Sequence, residues 1–171
     1  MDQLSNNYRE NVDWCNQTLG VGRSCDVVSR DYVIGGRRAR IWVIDGFGLD
    51  GTLERMGAFW LQLRPDQVER VTQMQDFIDR FVTFGESNVS SDRDDIITSV
   101  LLGKTLLLVE GVSGGALIDA KEYPARSVGE PPDGKVLRGS HDGFVEAEVP
   151  NMALLRRRIR DPHLTMEVAR V

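Results

Sequence analysis

The sequence predicts an α/β domain in which a mixed sheet of β-hairpins is packed with helices, followed by a linker and the start of a second small α/β subdomain. Three observations point there. Two pairs of apolar segments are each joined through glycines, at Gly35-Gly36 and across Gly111 to Gly115, and tight strand connections favour such residues because they need positive φ. The runs Ile41 to Ile44 and Leu106 to Val109 are continuous rather than alternating, as in strands covered on both faces. Around them, apolar residues recur at helical spacing.

Taken in order, Tyr8, Val12, Cys15 and Leu19 share one face of an opening helix, which puts Cys15 in the core. The first hairpin runs from Cys25 to Ile34 and back from Arg37 to Asp45. Leu49, Leu53, Met56, Trp60 and Leu63 mark a helix that Pro65 ends. Met74, Phe77, Ile78 and Phe81 mark another. Ser91 and Asp94 have the spacing of a capping box, opening a helix whose apolar face uses Ile96, Ile97, Val100 and Leu101. The second hairpin pairs Thr105 to Glu110 with Ala116 to Glu122. A first subdomain, 1–123, closes there.

Residues 124–143 hold three prolines and four glycines and read as an extended linker. Beyond it, residues 144–171 begin a second, incomplete subdomain. Met152, Leu155 and Ile159 recur at helical spacing with Pro150 near the first turn, and Leu164 to Val171 reads as a strand.

The bulk numbers narrow the function. With 171 residues, 41% of them hydrophobic, the chain buries one ordinary core or two small ones. Cys15 and Cys25 lack C-x-x-C spacing and no secretory leader precedes them, so a reducing cytosol is the expected setting. The longest apolar stretch, Ser99 to Val112, is broken by Lys104 and Glu110 and falls short of the ~20 residues of a spanning helix. Of the net charge of −5, residues 1–134 carry −7 and the remainder +2. An acidic body argues against nucleic-acid binding, which draws its affinity from neutralised phosphates.

No catalytic, cofactor or metal constellation emerges. Gly103-Lys104-Thr105 has the tail of a phosphate-binding loop, but Thr98 stands where the loop needs glycine, and the helix precedes the tripeptide instead of following it. Asp92, Asp94 and Asp95 suit the positive end of a helix better than a calcium loop, since Ile97 occupies the turning position. His141 and His163 are not at zinc spacing from other ligands. Arg156, Arg157, Arg158 and Arg160 surround their helix at ~100° per residue and form no phosphate-facing stripe. Arg156 borders the apolar seam, where its stem can pack while its head pairs with an acid.

The segment Val136-Leu137-Arg138-Gly139-Ser140-His141-Asp142-Gly143-Phe144-Val145-Glu146, followed by Asn151, Leu154 and Arg156-Arg157-Arg158-Ile159, resembles the signature of the spore germination A-subunit family. Upstream, Tyr123-Pro124-Ala125-Arg126 and Glu130-Pro131 resemble its linker, and Asp26-Val27-Val28, Gly36 and Ile44-Asp45-Gly46-Phe47 its first hairpin. The Tyr-Pro-x-Arg and Arg-Arg-Arg-Ile-Arg-Asp161 forms are most similar to the stage V sporulation protein AF branch. Ser140, His141 and the early Pro150 depart from the pattern.

The resemblance implies the cytoplasmic N-terminal part of a membrane protein of the spore inner membrane, lacking its membrane domain. Implied partners are other germination membrane proteins and, in the longer family proteins, further copies of the same chain; nucleic acid is not among them. In the matched segment Gly139 and Gly143 permit unusual backbone, Phe144 anchors the returning chain, and Arg138, Asp142 and Glu146 pair with one another or a partner. With Asn151, Arg156, Arg157 and Arg158 they are the candidate docking residues, as a clasp between subdomains or a contact to a partner. Two other classes compete: a small cytosolic hydrolase or nucleotide-binding enzyme, for which no nucleophile and base stand together, and an RNA-binding fragment using Arg156 to Arg160.

Overall fold

The computed structural model describes residues 2–47, 50–83, 85–120, 144 and 146–169. The expected linker, 124–143, lies outside them, with Arg138, Gly139, Asp142 and Gly143. The elements run α1 (Tyr8–Leu19), β1 (Val27–Ile34), β2 (Arg37–Ile44), α2 (Asp50–Trp60), α3 (Pro65–Val68), α4 (Met74–Phe81), β3 (Glu86–Ser90), α5 (Arg93–Leu101), β4 (Thr105–Val109), β5 (Gly115–Asp119) and α6 (Glu148–Arg158). The five strands form one antiparallel sheet in the order β1-β2-β4-β5-β3.

The central strands explain the layers. All five residues of β4 are buried, so both faces of the sheet must be covered. On one face Tyr32, Ile41, Leu107 and Ile118 pack against Met56 and Trp60 of α2 and Phe77 and Phe81 of α4. On the other, Trp42, Ile44, Leu106 and Leu117 meet Cys15 and Leu19 of α1, Ile96 and Val100 of α5, and Ala153 of α6. The two tryptophans bury their indole N–H with a partner: Trp42 donates to Asn16 Oδ1 at 2.9 Å and Trp60 to the Phe81 carbonyl at 2.8 Å.

The first hairpin forms as the sequence predicts, with Gly35 at φ +54° and Gly36 at φ +78° making the mirror-image turn that matches strand twist. Pro65, expected to stop a helix, instead opens one. Helix α2 ends at Trp60, and the short α3 starts on Pro65, whose missing N–H costs nothing in a first turn. The cap of α5 is Asp92 rather than Ser91: its Oδ1 accepts from Asp94 N at 3.0 Å and Asp95 N at 3.1 Å. Strand β3 is not visible in the sequence pattern. Its burial does not alternate cleanly, and backbone pairing with β5, Glu86 opposite Asp119 through Ser90 opposite Gly115, holds it at the edge.

The C-terminal segment departs further from expectation. Leu164 to Val171 reads as a strand, but the described part, 164–169, contains none. Helix α6 also turns a different face inward. Ala153 and Arg156 are buried, whereas Leu155 and Ile159, placed on the packed seam by spacing, are 38% and 46% exposed. Proximity to the backbone decides this: Gly46, at φ +82°, sits where a Cβ would come within 3.0 Å of both Ala153 Cβ and Val149 Cγ1. The helix approaches the turn after β2 too closely for large side chains. Gly46→Ala therefore meets strained backbone and a steric clash together, and urea denaturation of this variant should show a loss of about 1–3 kcal/mol.

Both cysteines are free thiols. Burial pushes the Cys15 thiol up to about 12, so it carries no thiolate near neutrality, while Cys25 is exposed. Titration of the native protein with Ellman's reagent at pH 8 should modify Cys25 alone, with Cys15 reacting only after denaturant is added.

Candidate docking site

Where α6 meets the sheet, one guanidinium gathers three parts of the chain. Asp26, the residue before β1, is 0% exposed and Arg156 of α6 is 1% exposed. Arg156 Nε donates to Asp26 Oδ2 at 2.7 Å and Nη2 to Asp26 Oδ1 at 3.0 Å, a two-pronged pairing that suits the planar fork. The remaining donors reach Ser24 Oγ at 3.3 Å, the Asp161 carbonyl at 3.0 Å and the Leu164 carbonyl at 2.9 Å. A charge removed from water needs this degree of satisfaction to be tolerated.

The surroundings complete the arrangement. The Ser24 hydroxyl donates to Asp26 Oδ1 and accepts the Met166 amide at 2.9 Å. The Met166 carbonyl takes the Cys25 amide at 2.9 Å, and the Met166 side chain is buried. Asp26 is fixed in turn by the strand ladder, its carbonyl accepting from Asp45 N at 2.8 Å. At the rim, Cys25 Sγ lies 3.4 Å from Met152 Sδ. Residues 161–166, a strap without regular structure, thus pass over the head of β1. Within the strap, the amide and ring of His163 bond Asp161 Oδ1 and hold that carboxyl below its ordinary range.

Among the described candidate docking residues, Arg156 is the one that stands in this cluster, opposite the Asp26 of the first-hairpin resemblance. Phe144, expected to anchor the returning chain, is 68% exposed. Glu146, Arg157 and Arg158 are exposed and Asn151 is half-buried. Sequence reasoning gave Arg156 an acid without naming it, and missed Ser24, Met166 and the strap carbonyls. The available signal was an aspartate leading into the apolar run Val27-Val28.

A separate groove of about 570 Å³ runs between α1 and the β1–β2 hairpin, lined by Tyr8, Asn16, Asp31, Tyr32, Arg38 and Arg40, among others. Two acids in or beside it are already engaged. Hydrogen bonds from Arg40 hold Asp31, and from Arg38 hold Glu110 beside it, below the ordinary carboxylate range. Burial, reinforced by the charge of Asp31, pushes the Tyr8 phenol up to about 12. Neither carboxylate is poised as a base near neutrality. Among the described residues no three His, Cys, Asp or Glu side chains gather to hold a metal, and no helix is long and apolar enough to cross a membrane.

Comparison with known proteins gives the cluster a context. The family model described as "Bacillus/Clostridium GerA spore germination protein" matches residues 15–171, a span that includes both Asp26 and Arg156. Stage V sporulation protein AF of Bacillus subtilis (strain 168) is 29% identical over 165 residues, covering 96% of this chain and 33% of that protein. Spore germination protein B1 of the same organism is 30% identical over 169 residues, covering 96% and 34%. The chain thus spans about a third of the length of these curated relatives. The crystal structure of the N-terminal domain of the A subunit of the Bacillus megaterium spore germinant receptor GerK3 superposes with a TM-score of 0.73 at 22% identity, over 99% of this chain and 62% of that one. That likeness establishes the shared fold.

Arg156→Met keeps the length of the side chain but leaves Asp26 charged and unpaired in a dry site. Urea denaturation should show a loss of about 3–5 kcal/mol, against less than about 0.5 kcal/mol for Arg160→Gln on the exposed side.

Proposed function

The chain belongs to the Bacillus/Clostridium GerA spore germination protein family, and from that premise we propose that it is the N-terminal docking domain of a spore germination membrane protein, serving assembly or signalling of a germination complex. The family match over residues 15–171 carries this reading. The Arg156–Asp26 cluster supports a docking role, because its polar groups are spent on holding chain segments together and not on presenting a reactive group.

In this reading the domain lies on the cytoplasmic side of the spore inner membrane. Its partners are other germination membrane proteins and further copies of the same chain, with no nucleic acid, and membrane attachment comes from a further C-terminal domain of the kind the greater length of the relatives allows. Residues 1–123 act as the first subdomain, 124–143 as a linker, and 144–171 begin a second. The docking surface is the outer side of that segment, with Phe144, Glu146, Asn151, Arg157 and Arg158, while Arg156 works inward as the clasp. Arg138, Gly139, Asp142 and Gly143 belong to the same docking element. The family is one of germination proteins, and the domain acts without catalysis or a cofactor.

The test is co-purification of the tagged protein from detergent-solubilised spore inner membranes. Recovery of other germination membrane proteins with the wild type, and their loss with Arg157→Glu while circular dichroism and melting temperature stay unchanged, is the expected result. A partner-free protein, or unchanged recovery with the variant, contradicts the assignment.

A further inference from the structure

We propose that the segment from Glu148 to Met166 is an all-or-none latch on the sheet, pinned by Arg156, so that α6 and the strap behind it leave and return as one unit. It rests on the docking role proposed above and supplies its regulation: the domain has a closed and an open arrangement of its C-terminal segment, and a partner that prefers one shifts the balance between them.

Three features carry this. First, hydrophobic burial contributes little to the grip of α6. Leu155 and, at the C-cap, Ile159 are already substantially exposed, Met152 and Leu154 are half-buried, and the helix's buried contribution to the apolar core is Ala153. Opening uncovers Ala153 and, from the strap, Met166 as buried apolar side chains, a limited apolar contribution beside which the polar cluster supplies the specific hold. Second, the same guanidinium serves both parts of the segment. Arg156 stands on α6 yet bonds the strap carbonyls of Asp161 and Leu164, and it meets Ser24, whose hydroxyl accepts the Met166 amide. Lifting the helix therefore breaks its bonds to the strap at Asp161 and Leu164 and leaves the strap only the Met166 bonds to Ser24 and Cys25.

Third, there is no stable halfway point. Withdrawing Arg156 slightly leaves Asp26 charged, buried and unpaired, the costly condition for such a pair. Full removal lets water reach both groups. Partial opening thus lies above both end states, the condition for a switch with discrete positions. The sheet does not depend on the latch, because β1 is paired with β2 from Val27 opposite Ile44 to Ile34 opposite Arg37.

Amide hydrogen exchange of the 171-residue chain, read by mass spectrometry, tests this directly. In the wild type, residues 151–158 and 163–166 are expected to exchange with one common protection factor, lower than that of β2, β4 and β5. Asp26→Asn removes the charge at constant shape and should lower that common factor by ~10-fold or more, while β2, β4 and β5 stay more protected than the latch. Arg156→Lys, which keeps the charge but loses the fork, should act in the same direction. Independent exchange of helix and strap, equal protection of latch and sheet in the wild type, or variants in which latch protection is unchanged or the whole sheet opens would each overturn the latch. None of these outcomes depends on spore partners, so the latch and the docking role fail separately.

Discussion

A guanidinium and a carboxylate enclosed together away from water must remain together, because either one alone would be a bare charge in a dry space. Asp26 and Arg156 are in that position, 130 residues apart in sequence and both almost completely buried. Much else about the C-terminal segment follows. Arg156 can reach Asp26 only if α6 lies against the turn after β2, and α6 can lie there only because Gly46 leaves room for Ala153 and Val149. Once Arg156 is in place, donors left over from the carboxylate select the path of the strap through two backbone carbonyls.

The sheet makes this possible by fixing the acceptor first. Asp26 sits at the head of an eight-residue strand whose whole length is paired with β2, and its own carbonyl is tied to Asp45 N. The carboxylate is therefore presented in a set position by backbone bonding, with Ser24 beside it as a second acceptor that also receives the strap. Such a site is suited to holding polypeptide: its specificity comes from forked geometry and carbonyl positions.

The parts of the fold dictated by local chemistry were legible in the sequence. Glycine pairs marked the first turn, continuous apolar runs marked the strands buried on both faces, and helical spacing placed Cys15, Trp60 and Phe77 in the core. The parts dictated by contacts distant in sequence were less so. Strand β3 exists because β5 offers it backbone partners, and its side chains give little sign of that. The inward face of α6 was misread because apolar spacing favours Leu155 and Ile159, whereas a close backbone approach selects the small Ala153 and a buried arginine. The sequence suggested that Arg156 would meet an acid, but a partner 130 residues away is identified only once the chain is folded.

The central claim is that Asp26 and Arg156 act as one unit that holds the C-terminal segment to the sheet. A double-mutant cycle on unfolding free energy, using Asp26→Ala, Arg156→Ala and the pair together, measures this most directly. The account predicts strong coupling: either single change costs about 3 kcal/mol or more by stranding its partner, and the second adds little because no lone charge remains. Two losses that add within about 0.5 kcal/mol would mean that the residues contribute independently, and the account of how this segment is held would be wrong.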